Sequence, residues 1–327
     1  MSNPWVIRRR AALAVLGSSL LPVARAQAAW PSRPLQMVVA YAGGGAIDGM
    51  VRYATEKIRE RHPAMHFVIE YRPGASGNIA ADAVVRLAGD GHQFLVSGSS
   101  THAANASLFK RLPFDPDKDF LPVTTLAQVP YFLVVNPARV PVTSLQDFIA
   151  LARARPGQFS FGSSAVTGRL AGELLKQRAG IDMTFVPYKT LGQVVSDVVG
   201  GHLDAAFGDP LGYLPHVRSG RLRALAVSSA QRVGSALEVP TIAESGYADF
   251  DVTAWLAIWG RAGSPPESAE RLSSLVNGVL DTPEGRQFIA SIGLVPMPGS
   301  PAQLAALQRR DTAALARLVR AAGITPE

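Results

Sequence analysis

The chain has 327 residues, 47% of them hydrophobic and 17% charged, and a formal net charge of +7. It holds no cysteine, which excludes disulfides, thiolate metal sites and cysteine nucleophiles together and leaves stability to core burial. Arg8, Arg9, Arg10 and Arg25 supply four of those charges, so the residues beyond 28 carry only +3, too little and too dispersed to call for nucleic acid or a lipid surface.

The three adjacent arginines precede an apolar run from Ala11 to Val23, which ends in the small residues of Ala24-Arg25-Ala26-Gln27-Ala28. That order predicts a cleaved export signal over residues 1–28 and a periplasmic protein. The run is shorter than the roughly 20 apolar residues of a spanning helix. Cleavage after Ala26 or Ala28 fits equally, and both a twin-arginine and a general secretory route stay open.

From Leu35 onward, short β-branched runs alternate with helix-period segments, the mark of βαβ units around mostly parallel sheets. Strands are expected at Leu35–Ala40, Phe67–Glu70, Gln93–Val96, Tyr131–Val135, Phe159–Gly162, Thr184–Val186, Leu203–Phe207 and Arg223–Val227. Between the first two, Met50, Val51, Ala54 and Ile58 recur at helical spacing until His62-Pro63 stops the helix. Further helices are expected at Gly77–Leu87, Leu145–Ala154, Arg169–Arg178, Val194–Val199, Ala269–Val279 and Pro301–Ala322. Proline-rich, polar passages near 122–130 and 250–266 read as two crossings between lobes. One lobe would then be 29–129 with 251–327, the other 130–250.

The segment Val38–Asp48 joins a buried strand to a helix through Gly43, Gly44 and Gly45. Glycine lets backbone approach a ligand closely, and the helix start offers unpaired N–H groups carrying about half a positive charge, an anion site. The plainer alternative is a bare turn in which Asp48 only complements the helix dipole. A dinucleotide reading of Gly43-x-Gly45 would put Asp48 beside a pyrophosphate, in a chain exported away from cytoplasmic cofactors.

A second polar cluster after a strand holds Ser100, Thr101 and His102, whose hydroxyls and imidazole suit a carboxylate or hydroxyl. A third holds Ser163, Ser164, Thr167 and Arg169. Helix amides and the guanidinium there could grip the far end of a dianion, with a solvated helix position as the equal alternative for Arg169. Asp209, at the carboxyl end of a strand, could reach a crevice. No G-x-S-x-G elbow exists, Gly74-Ala75-Ser76-Gly77 being a near miss. The six histidines form no zinc pair, since Pro63 separates His62 from His66. No catalytic residue, metal or cofactor is expected, and a secreted hydrolase using a loop serine is the rival class.

Several motifs in order resemble the Bug-type receptors, the extracytoplasmic solute-binding components of tripartite tricarboxylate transporters. They are Trp30-Pro31-Ser32-Arg33-Pro34, the glycine loop ending in Asp48, Tyr71-Arg72-Pro73-Gly74-Ala75-Ser76-Gly77-Asn78, Leu112–Pro116, Val134–Pro137, Val186-Pro187-Tyr188-Lys189 and Arg221–Val227. The resemblance implies an α/β, two-lobed, periplasmic-binding-protein-like fold (type II-like), with a ligand cleft between lobes. It implies a small carboxylated ligand held by the amides of Gly44, Gly45, Ala46, Ile47 and Asp48 beside Tyr41, with the loops at Ser100–His102 and Ser163–Thr167 closing over it. It also implies a non-catalytic monomer whose partners are integral-membrane transporter components, or a sensor if its role is signalling. Tyr41-Ala42 replaces the usual proline before the glycines. Arg169 stands where histidine is common and Thr190 where glycine is, and the extra cation would suit a dianion or an aromatic acid.

Overall fold

The computed structural model describes residues 30–326, so the export-signal reading lies outside the described residues. In chain order the elements are β1 (Leu35–Val39), α1 (Ala46–Arg61), β2 (Phe67–Tyr71), α2 (Asn78–Val85), β3 (Gln93–Gly98), α3 (Asn105–Leu108), β4 (Phe120–Val129) and β5 (Phe132–Val135). There follow α4 (Leu145–Ala154), β6 (Phe159–Ser163), α5 (Val166–Ala179), β7 (Met183–Pro187), α6 (Leu191–Val199), β8 (Ala205–Gly208), α7 (Pro210–Arg218) and β9 (Arg223–Val227). The chain closes with β10 (Ala254–Arg261), α8 (Pro266–Leu280), α9 (Pro283–Ser291), β11 (Val295–Pro296) and α10 (Pro301–Ala321).

Two sheets result, a 6-stranded one in the order β11-β4-β10-β3-β1-β2 and a 5-stranded one in the order β7-β6-β8-β5-β9. The expectation of mostly parallel sheets is corrected: both are mixed. Strands joined through helices, β1 to β2 and β3 and β6 to β7 and β8, run parallel, as right-handed βαβ crossovers require. The strands that enter a sheet from the other one escape that rule. Thus β5, arriving from β4, pairs antiparallel with β8 and β9, and β10, arriving after β9, pairs antiparallel with β3 and β4.

The polar passages near 122–130 and 250–266 hold most of β4 and the whole of β10, and the chain passes from one sheet to the other after β4 and again before β10. Pro122 is tolerated in β4 because it faces Trp259 beside a register shift, where a missing N–H costs no ladder bond.

In α1, Met50, Val51, Ala54 and Ile58 are buried as their spacing predicts. The second sheet has its own core, in which Phe132 and Val134 meet Val194, Val198, Leu203 and Tyr213. α10 clamps the first sheet: Trp259 is fully buried and its indole N–H donates to Gln308 at 3.2 Å, while that of Trp255 donates to Asp311 at 2.7 Å. Among the described residues no helix is long and apolar enough to cross a membrane.

Candidate functional site

A cavity of about 730 Å³ is lined by residues from both sheets. Its walls are built at the carboxyl ends of parallel strands: Tyr41–Gly43 and Gly45–Ile47 after β1, Pro73–Gly77 after β2, Gly98–Ser100 at the end of β3, Ser164 and Ala165 after β6, Tyr188–Gly192 after β7 and Asp209 after β8. Helices start where such strands stop, so the crevice collects helix N-termini and the positive ends of their dipoles. Val129, Tyr131 and Ala254–Leu256, where the chain passes between sheets, complete the lining.

Three of the helices opening here have no side-chain cap: α1 begins at Gly45, α2 at Gly77 and α5 at Ala165. Two others that open here, α6 and α7, are capped by Thr190 and Asp209; away from the cavity α4, α9 and α10 are capped by Ser144, Thr282 and Ser300, and α8 is not. Glycine and alanine leave first-turn N–H groups to be satisfied by something other than their own side chains.

The glycine loop is folded back on α1. Asp48 accepts the Gly44 N–H at 2.9 Å, Arg52 Nε at 2.6 Å and the Tyr71 hydroxyl. Burial pushes the Asp48 carboxyl up, but the Tyr71 hydroxyl, the Gly44 amide and Arg52 outweigh it and hold the group below the usual carboxylate range. Gly44 and Asp48 therefore engage each other rather than the cavity, whereas Gly45, Ala46 and Ile47 line it.

Asp209 caps α7 by accepting the Gly212 N–H at 3.3 Å, and its carboxyl also faces the backbone N–H of Ala46, the first residue of α1. Burial pushes its carboxyl up to about 6, against the pull of the Gly212, Ala46 and Leu211 amides.

Of the other predicted residues, Tyr41, Ser100 and Ser164 line the cavity. Thr101 lies behind it, 3.3 Å from the Tyr41 hydroxyl and donating to the Ser76 carbonyl at 3.0 Å. His102 is withdrawn into the core, stacked on Trp259 with ring centroids 3.6 Å apart. Ser163 is buried under α5, its hydroxyl accepting the Ala165 N–H at 3.2 Å. Thr167 is buried and reaches the Tyr131 hydroxyl. Arg169 stacks over the Phe185 ring at 5.0 Å, so the cation lining the cavity is Lys189 instead. An aromatic face offers Arg169 a partner on β7, an edge strand of the second sheet, which the sequence pattern did not reveal.

Sequence reasoning missed the Pro73–Gly77 wall. Gly74, Ala75, Ser76 and Gly77 all have positive φ, at 131°, 46°, 53° and 91°, a run held from outside at Ser76. Thr101 and Asn105 both donate to the Ser76 carbonyl, the latter at 3.1 Å. The sandwich of two glycines around Ala-Ser was the available signal.

A family model described as the tripartite tricarboxylate transporter family receptor matches residues 50–324. The chain is 34% identical to Protein BugT of Bordetella pertussis over 277 residues, covering 84% of each. Among solved structures it is similar to R. palustris Rpa4515 with adipate, at 33% identity and a TM-score of 0.88 over 91% of this chain and 100% of that one. It is also similar to MatC from Rhodopseudomonas palustris with bound malate, at 27% identity and a TM-score of 0.80 over 88% and 99%.

Proposed function

The chain belongs to the tripartite tricarboxylate transporter family of receptors, and from that premise we propose that it captures a small carboxylate outside the cytoplasm for a membrane transporter of that type. The observation that carries this reading is the convergence of three uncapped helix starts, at Gly45, Gly77 and Ala165, on one cavity. Each contributes about half a positive charge, and their first-turn N–H groups, among which the Ala46 N–H also faces Asp209, suit carboxylate oxygens without any cationic side chain. Adipate and malate, bound by two similar proteins, are dicarboxylates, and a cavity with donors on opposite walls suits two carboxylates on one short chain.

In this reading, residues 29–129 with 251–327 form one lobe and 130–250 the other, and they close over the ligand by rotation at the crossings. The ligand leaves unchanged; Tyr41, Ser100 and Ser164 contact it beside the Gly45–Ile47 amides.

The experiment is a thermal-shift screen of residues 29–327 against mono-, di- and tricarboxylates, amino acids and neutral amides. A ligand at 1,000 times its dissociation constant adds about 4 kcal/mol, a shift of several degrees. A saturable shift confined to carboxylates is expected, and Gly45→Val should abolish it in a folded protein, because a Cβ there points between Asp209 and Leu191, 3.6 Å and 4.0 Å away. Turnover of the hit, or an unchanged shift in the Gly45→Val variant, would defeat the reading.

A further inference from the structure

We infer that Asp209 is a specificity-determining residue that sets the charge accepted at the α1 end of the cavity: its carboxylate faces the Ala46 amide, so a ligand carboxylate takes that amide only together with a proton. The inference rests on the carboxylate-receptor reading. Among the described residues Asp209 is the one acid lining the cavity, and it lies across from Gly45, whose Cβ position is 3.6 Å from Asp209 Oδ2. It stands between the start of α7 and the start of α1, accepting the Gly212 N–H of one and facing the Ala46 N–H of the other. A ligand carboxylate at the same amide would stand within contact of it, and two carboxylates so placed share one proton rather than ionise together.

The groups around Asp209 leave it as the one that changes charge near neutrality. From α1, Gly45, Ala46 and Ile47 carry no titratable side chain, and Asp48 is held ionised by Tyr71, Gly44 and Arg52. From the crossing and from α7, burial drives the Tyr131 and Tyr213 phenols upward, and Asp209 itself adds to that. Tyr188, from the wall after β7, is likewise pushed up by burial and donates to Asp197. Lys189 lines the same cavity. Binding then takes one proton from solvent onto the oxygen pair shared by Asp209 and the ligand, and no bond is broken.

The test is calorimetric titration of the wild type and Asp209→Asn with adipate and then malate, from pH 5 to pH 8. Asparagine keeps the α7 cap while removing the charge. The ratio of dissociation constants, wild type over variant, cancels the ligand's own ionisation. It is expected near one at pH 5 and to rise about tenfold per pH unit above about 6. Tighter binding by the variant at pH 8 alone also supports the inference. A ratio that does not change with pH, or one that falls as pH rises, overturns it while leaving the receptor reading in place. Failure of both proteins to bind either acid at any pH removes the receptor reading and this inference together.

Discussion

The Tyr71 hydroxyl donates to the Asp48 carboxylate, and through that bond the end of β2 holds the first turn of α1. The same carboxylate keeps the Gly44 amide at 2.9 Å, so one side chain shapes the loop that opens on the cavity. Asp48→Asn should cost about 1 kcal/mol at pH 7, since its Arg52 partner is 59% exposed and exposed pairs contribute little. Its carboxyl is held low in the folded state, so this contribution is present above the ordinary carboxylate range and lost as pH falls below it. Urea unfolding of both proteins from pH 7 to pH 3 should show the gap closing on acidification.

His102 carries the opposite kind of pH dependence to Asp209. Neither of its ring nitrogens meets a hydrogen-bond partner, and burial drives its pKa down to about 3. The unfolded chain therefore binds a proton, below about pH 6.5, that the fold refuses. Stability is complete above that pH and falls by about 1.4 kcal/mol per unit below it. His102→Phe keeps the stack on Trp259, and its unfolding free energy should stay flatter between pH 6.5 and pH 5; an acid limb equal to that of the wild type would show that another group is responsible.

Gly98 has no room for a side chain. A Cβ there would stand 2.5 Å from the Trp255 carbonyl oxygen, a backbone atom on the neighbouring strand where Gly98 pairs with Leu256. Gly98→Ala should force β3 and β10 apart at a cost of about 1–3 kcal/mol, read as a drop in melting temperature, and should weaken carboxylate binding because both strands wall the cavity.

Asn105 donates to the Ser76 carbonyl at 3.1 Å and to Asn78 Oδ1 at 2.6 Å, both within the protein interior or its edge. Asn105→Ala takes the donor from Asn78 Oδ1 and leaves the Ser76 carbonyl to Thr101 alone, which releases one restraint on the left-handed turn, with an expected cost of about 1–3 kcal/mol. Hydrogen exchange at Ala75–Asn78 should quicken in the variant more than exchange in α4, which lies in the other sheet's layer.

Periodicity made α1, α4 and the βαβ strands legible, because their buried faces repeat at fixed spacing. It could not reveal β4, where Pro122 and Pro130 argue against a strand unless the bulge opposite Trp259 is known. Nor did it reveal α7, whose nine residues include Gly212 and Pro215; the pair Asp209-Pro210, a cap followed by proline at the first helical position, was the overlooked signal. The site was legible where a strand ran into glycines, as at Gly45 to Ile47. It was not where specificity depends on which residue faces another across the cavity: nothing local to His102 says that it turns to Trp259, or to Arg169 that Phe185 waits for it.

The adjacency of β3 and β10 also governs the order in which the protein can be assembled. Ser99 and Trp255 meet across 156 residues of sequence, whereas every strand of the second sheet falls between Phe132 and Val227. Contacts within the shorter span close at lower entropic cost and form sooner. The sheet that the chain begins first is therefore completed last, and until β10 arrives the Phe94-Leu95-Val96 edge stands unpaired. That edge is the point at which a slow-folding variant of this protein would be most prone to self-association.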